Sequence, residues 1–471
     1  MYKGYGIESI ILLAVYAIVL LAIGLRLRRT VKPQAEEYLL MGRRLSLPAF
    51  VATLVSTWYG GILGVGEYSY KHGISNWIVF GLPYYLAAFI FAIFLAKKAQ
   101  ASKALTIPDQ LEKVYGRKTA ILGSIFVFIN AIPGAYVLQV GVLATTMFNI
   151  PIELAVIIGA AITVFYVYSG GFKGDVITDV IQFVLMFAGF GILIAFLIPN
   201  FGFWDFLSKN LPSESITWHG GKPFSYILVW YFIALAALVE PAFYQRCFAA
   251  KTPATARNGI LISIGFWMIF DFLTTFSGMY ARALMPDLAD PMTSYPMIGA
   301  KILPPILRGI FLLGLFATVM STADSYIMIS GQTLGKDLIG RLLRTKPSDQ
   351  KIVQLSKYGM IVTGVLSVLI ALYFKSIIDI WYYFGSLTTA SLLIPLFSSY
   401  YSNKPMSSRN VAIAMISSAV IVIIWSMPSI LFQKPFFFGI DPIYPGLLAS
   451  ISIFLYDRFR SSRNLATQAQ I

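Results

Sequence analysis

The stretch Leu45–Tyr70, LSLPAFVATLVSTWYGGILGVGEYSY, is long and apolar enough to cross a bilayer, yet Gly60, Gly61, Gly64 and Gly66 interrupt it at mid-depth. Glycine weakens a helix interior by about 1 kcal/mol relative to alanine, so the run predicts a spanning helix that breaks near its middle. A break frees carbonyls that coordinate cations and exposes the positive end of a half-helix, the device from which secondary transporters build midplane sites. Close packing of the GxxxG kind is the competing reading of the same glycines. Glu240-Pro241 interrupts a second apolar run, at 225–244, and the paired interruptions favour a site.

The composition of the whole chain has the same character. Of 471 residues, 58% are hydrophobic and 12% charged, against about 45–50% and about 25% in soluble globular proteins. That share, about 273 residues, allows about thirteen spans at ~20 residues each. Thirteen apolar runs are present, at 5–25, 46–70, 75–96, 119–148, 151–168, 174–198, 225–244, 257–281, 304–334, 355–374, 377–400, 408–428 and 438–456. The expected fold class is an all-α membrane protein, with residues 1–471 forming a single polytopic domain. In hydrocarbon every backbone amide must be bonded within its own segment, and no period-two alternation signals a barrel. Arg26, Arg28 and Arg29 follow the first run, so it reads as a span and not as a cleaved signal peptide. The longest loops, 199–224 and 335–354, are too short for a soluble domain.

One cysteine, Cys247, excludes an internal disulfide, and two histidines, His72 and His219, leave little for metal or triad chemistry. The formal net charge of +15 is sided. With the N-terminus outside, 27 of the 36 Lys and Arg fall on the inner side, including Arg29, Lys32, Arg43, Arg117, Arg246, Lys336, Arg341, Lys404 and Arg463, and nine on the outer, including Lys3 and Lys375. The positive-inside rule then makes the C-terminus cytoplasmic and the span number odd. The charge is an orientation signal in a bilayer, expected to be the cell (inner) membrane, and nucleic acid is not an expected partner.

Asp175, Asp179, Glu240, Asp271 and Asp324 lie within apolar runs, where a carboxylate costs several kcal/mol and is usually compensated by a cation, water or a proton. Five such groups favour an ion or solute path. Asp175 follows Gly170-Gly171 and is expected at a helix end near water; Asp271 reads equally well as functional or structural. In LFATVMSTADSYIM, residues 315–328, Thr318, Ser321, Thr322 and Ser325 follow i, i+3, i+4, i+7 and share one helical face. Hydroxyls and carbonyls suit a small hard cation such as sodium, and they equally serve as hydrogen-bonding glue between membrane helices.

Five motifs, in order, resemble those of the sodium/solute symporters, the family of bacterial proline and sugar symporters and their sodium/glucose relatives. They are EEYLLMGRRLSLP (36–48), LTIPDQLEKVYGR (105–117), SGGFKGDVITDVIQ (169–182), FYQRCFAAKTP (243–253) and MSTADS (320–325). The resemblance implies a leucine-transporter-type fold of about thirteen transmembrane helices containing two inverted five-helix repeats. These are expected at 46–198 and 225–400, with additional C-terminal helices at 408–456. It also implies alternating access driven by sodium. The family's common sodium site falls here on the carbonyls of Ala52, Val55 and Thr318 and the side chains of Ser321 and Thr322. A possible second cation falls on Asp179 with Ser325 nearby; Asp324 stands where certain members have a serine, so it either strengthens that site or carries a proton.

Substrate contacts implied by the resemblance are Trp58, Tyr59 and Glu240, followed by Trp381, Tyr382 and Ser386. Trp58 and Tyr59 replace the polar residues that commonly recognise sugar hydroxyls, so the expected partner is an amino acid or other small organic solute ahead of a sugar. An aromatic cage beside Glu240 suits a positive or amino group, although aromatics at helical spacing are more often packing. Proton coupling through Asp179 and Asp324 is the alternative within transport, and a transporter-like membrane sensor the alternative outside it. The short stretch after Arg463 speaks against a fused kinase. No nucleophile-elbow, phosphate-loop or histidine-rich pattern supports an enzyme.

Overall fold

A computed structural model of the chain describes residues 5–28, 34–374, 377–401 and 405–468, with side chains to residue 460 and without that of Arg28. Lys3, Arg29, Lys32, Lys375 and Lys404 of the charge count lie outside the described residues, as does the side chain of Arg463. Among the described residues all regular elements are helices, apart from an isolated backbone bridge between Leu45 and Ala250. We label α1 (Ile7–Arg28), α2 (Leu47–Trp58), α3 (Ile62–His72), α4 (Ile107–Tyr115), α5 (Arg117–Ala131), α6 (Gly134–Phe148), α7 (Ile152–Phe201), α8 (Pro241–Ala249), α9 (Pro253–Leu284), α10 (Pro305–Gln332), α11 (Asp349–Tyr373), α12 (Ile377–Tyr401), α13 (Ser408–Phe432) and α14 (Ile443–Gln468).

Eleven described segments are long and apolar enough to cross a membrane. The expected runs 151–168 and 174–198 join end to end in α7, and 438–456 overlaps α14, which runs into Asp457, Arg458 and Arg460 and is not among the eleven. Helix ends follow local chemistry. Thr252, Ser348 and Ser407 accept from backbone N–H groups three residues on, while proline begins α8, α9 and α10, where its missing N–H costs nothing.

Burial sorts the helices into a core and a lipid-facing rim. Every residue from Phe311 to Gln332 of α10 is buried, so this helix sits at the centre with no face left for lipid. On α1, by contrast, Ile7, Ile11, Val15 and Ile18 are exposed along one stripe, the pattern of a helix whose outer face meets hydrocarbon. The α7 and α10 backbones touch: a Cβ on Gly314 would lie 2.8 Å from the Leu185 carbonyl oxygen and 3.1 Å from Gly189 Cα. Gly314→Ala should therefore overpack the crossing by about 1–3 kcal/mol and lower the thermal midpoint in detergent. Gly191→Ala, on the same helix as Gly189 but with open space around it, should leave it unchanged. Equal midpoints would refute this account of the crossing.

The expected break in the first run is present. Tyr59–Gly61 forms a short 3-10 segment between α2 and α3, and Cβ atoms on Gly60 or Gly61 would collide with Thr322 or Trp381. The second lies at Glu240, extended at φ −69° and ψ 113°, after the 3-10 segment Ala234–Val239 and before α8. A further discontinuity divides α7 at Gly171, whose φ of 55° favours glycine. The two broken helices are joined end to end by backbone hydrogen bonds, Leu45 N–H donating to the Ala249 carbonyl (3.0 Å) and Lys251 N–H to that of Leu45 (3.1 Å).

The stretch 335–354, read as a loop, is a loop only over 343–348: its first part continues α10 as a π-helix, Thr333–Ile339, and a short turn, Gly340–Leu342, and its last part opens α11. A partly buried ion cluster holds the continuation in place. Lys336 bonds Asp109 (2.5 Å) and Asp337 (2.8 Å), while Arg341 bonds Asp109 (2.5 Å), Glu112 (2.8 Å) and Asp337. Burial alone would raise the Asp109 carboxyl, but Lys336 and Arg341 outweigh it and hold it at about 2. These cations fasten α4 to the end of α10.

Candidate functional site

The two breaks open onto one cavity of about 140 Å³. Trp58 and Tyr59 enter from the end of α2, Glu240 from the second break, and Trp381 from α12. Four expected substrate contacts thus meet. Tyr382 and Ser386 do not line it: the wall of α12 is Ile380, Trp381, Phe384 and Gly385, and successive residues rotate by about 100° around a helix. Tyr382 faces instead outward from this wall, donating to Asp441 and stacking on Phe436, while Ser386 is buried in packing.

The cavity is aromatic with a few fixed polar groups, the usual make-up of a small-molecule site. Trp58 packs against Tyr84 and Trp267 at centroid distances of 5.4 and 5.5 Å, and the Tyr59 hydroxyl donates to the Trp267 carbonyl (2.9 Å). Glu240 Oε1 accepts from the Tyr326 hydroxyl (2.7 Å) and from Ala242 N–H (3.3 Å). Asp271, left undecided by the sequence, also lines the cavity and accepts from the Tyr85 hydroxyl. Its position follows from the helical phase of α9, and its partner lies 186 residues away in the chain.

Behind the first break, α10 meets α2. The Ser321 hydroxyl donates to the Ser56 carbonyl (2.8 Å) and lies 3.3 Å from that of Thr318. The Thr322 hydroxyl donates to the Thr57 carbonyl (2.7 Å). The Ala52 carbonyl accepts from the Ser56 hydroxyl (2.9 Å) one turn earlier, and Val55 is buried on the same segment. Of the expected sodium ligands, Ser321 and Thr322 thus reach across to α2 beside the Thr318 carbonyl. The carbonyls they meet in this conformation are those of Ser56 and Thr57.

The trio Asp179, Asp324 and Ser325 does not converge, because Asp324 and Ser325 are adjacent on a helix and point to different sides. Asp324 accepts from the Tyr166 hydroxyl on α7. Asp179 and Ser325 belong to another cluster, centred on Arg246 of α8, whose side chain has 0% exposure. Its Nη2 lies within hydrogen-bonding distance of Thr53 (3.0 Å), Thr57 (2.8 Å), Asp175 (3.2 Å), Asp179 (3.3 Å) and Ser325 (2.7 Å). Arg246 counted above as a loop cation, and Asp175 was expected near water; both are buried partners in the bundle. Two carboxylates on one face of α7 need a cation in hydrocarbon, and α8 supplies it.

The sodium:solute symporter family model matches residues 38–408. The chain belongs to that family. It is 26% identical over 483 residues to the osmoregulated proline transporter OpuE of Bacillus subtilis, covering 95% of this chain and 93% of that one. Identity is again 26%, over 486 residues and 98% of both chains, with the sodium/pantothenate symporter of Escherichia coli. High-affinity choline transporter 1 of Drosophila melanogaster is 25% identical over 402 residues, which are 80% of this chain and 63% of that protein. Among solved structures, a substrate-bound, outward-open Na+-coupled sialic acid symporter aligns over 96% of both chains with a TM-score of 0.78 at 16% identity. The transporter Mhp1, of the nucleobase-cation-symport-1 family, gives 0.56 over 88% of this chain and 92% of that one at 12% identity. These likenesses establish the shared leucine-transporter-type fold. This symporter-family chain is therefore a multi-pass membrane transporter and not an enzyme.

Proposed function

We propose that the protein couples inward movement of sodium to import of a small organic solute, with a sugar the less favoured class, by alternating access. In this reading it lies in the cell inner membrane with an outside N-terminus, a cytoplasmic C-terminus and thirteen spans. Residues 46–198 and 225–400 are the inverted repeats, and 408–456 add the C-terminal helices. The observation that carries the reading is the meeting of the Ser321 and Thr322 hydroxyls with α2 immediately behind the broken segment that lines the cavity.

Sodium, as a co-transported ion, would take the carbonyls of Ala52, Val55 and Thr318 and the hydroxyls of Ser321 and Thr322. Oxygen ligands of this kind suit a hard cation. By tying α2 to α10 the ion favours the outward-open state, and solute then enters at Trp58, Tyr59, Glu240 and Trp381. Coupling is the difference in sodium affinity between the outward and inward states. The membrane potential adds ~2.3 kcal/mol per charge per 100 mV if the full field is crossed.

Proteoliposomes with an imposed inward sodium gradient should accumulate solute, and isosmotic replacement of sodium by potassium should abolish accumulation. Unchanged uptake in potassium refutes sodium coupling. Proton coupling through Asp179 and Asp324 has one observation in its favour: each carboxylate keeps one buried oxygen without a hydrogen-bond partner among the described residues. A pH gradient that sustains uptake without sodium would decide for it.

A further inference from the structure

The cavity narrows the chemistry of its solute. Glu240 and Asp271 both line it, and each carboxylate acts as acceptor toward tyrosine O–H or backbone N–H. Among the described residues that line it there is no Lys, Arg or His. The buried cation of α8, Arg246, is turned to Asp175 and Asp179 and does not line it. An anionic group would ordinarily be received by free N–H groups where a broken helix restarts. Both restarts are already capped from within. At α8, Glu240 Oε1 accepts from Ala242 N–H (3.3 Å), and at α3, Gln139 Oε1 accepts from Leu63 N–H (2.9 Å). The walls include the aromatic rings of Trp58, Tyr84, Tyr136 and Trp381, a side-chain type that attracts cations.

We propose that the cavity takes an organic monocation, bearing an ammonium or quaternary ammonium group and no carboxylate, and rejects zwitterionic amino acids. This gives the solute class of the symport site and rests on that reading for its coupling to sodium. A solute carboxylate here would face Glu240 or Asp271 with no cationic side chain among the described lining residues to offset the repulsion, and an N–H at the start of each half-helix is already taken. A cationic group beside a carboxylate and aromatic rings meets favourable partners.

The test is equilibrium binding to the purified full chain in detergent at saturating sodium, followed by tryptophan fluorescence, because Trp58 and Trp381 line the cavity. Two matched pairs serve as probes, choline with glycine betaine and ethanolamine with glycine. Each pair shares its ammonium head and differs only in carrying a hydroxymethyl group or a carboxylate. Each cation that binds should do so at least about tenfold more tightly than its partner. Glu240→Gln removes the charge while keeping an oxygen for Ala242 N–H, and should weaken cation binding about tenfold. Glu240→Ala uncaps α8 and should shrink the preference within each pair, a ratio that is independent of the folded fraction. Equal or tighter binding of the carboxylate-bearing partners overturns the proposal, as does failure of both cations to bind. Sodium-driven uptake of betaine or glycine overturns it while leaving sodium symport standing. Cation binding without sodium-driven uptake does the reverse.

Discussion

Replacing Arg246 with alanine should destabilise the protein by about 3–5 kcal/mol, the range found when one partner of a buried ion pair is removed. The guanidinium and both carboxylates have no exposed side-chain surface. Without it, Asp175 and Asp179 would face each other across one turn of α7, in a medium that does not solvate them. The measurement is the thermal midpoint in detergent, with Arg246→Lys as an intermediate case, since lysine keeps the charge and loses the planar fork. Adding Asp175→Asn and Asp179→Asn to Arg246→Ala should recover much of the loss by removing the orphaned charges. A midpoint unaffected by Arg246→Ala, or a triple variant no better than the single one, contradicts the assignment of Arg246 as the compensating cation.

The second large effect concerns the ion. Ser321→Ala with Thr322→Ala should raise the sodium concentration needed for half-maximal uptake by about tenfold or more, since two of the oxygen donors of a hard-cation site are lost. Solute binding at saturating sodium should survive, because neither residue lines the cavity. A wild-type sodium dependence would refute the placement of the site. The same hydroxyls donate to the Ser56 and Thr57 carbonyls, so the midpoint of the double variant should be measured alongside, at high and low sodium.

Features governed by local pattern were legible in the sequence. The interruption at Gly60-Gly61 announced itself because glycine in an apolar run opposes helix continuity, and the stripe Thr318, Ser321, Thr322, Ser325 because helical periodicity places these residues together. The cavity contacts Trp58, Tyr59, Glu240 and Trp381 followed from the resemblance and meet as implied. Tyr382 and Ser386 were misplaced because the sequence does not give the rotational setting of α12. Arg246 was missed for a different reason: a count of loop charges assigns every cation beside an apolar run to water. Its burial depends on Asp175 and Asp179, 71 and 67 residues away in the chain. The signal available was the unpaired excess of carboxylates in the spans, which required a cation from somewhere. The internal caps from Glu240 and Gln139 are likewise tertiary facts that no periodicity encodes.

The backbone pairing of Leu45 with Ala249 and Lys251 has a mechanical consequence. It pins the start of α2 to the end of α8, so the two interrupted helices share a pivot. At ~1.5 Å per residue, Tyr59 lies about 20 Å along one arm and Glu240 about 14 Å along the other. A rotation of about 5° at the pivot swings the Tyr59 end by about 2 Å, enough to carry an oxygen in or out of a cation's reach. Because peptide groups form the joint, substitution at 45 or 249–251 by any residue but proline leaves its hydrogen bonds available, and the two arms stay anchored at one point.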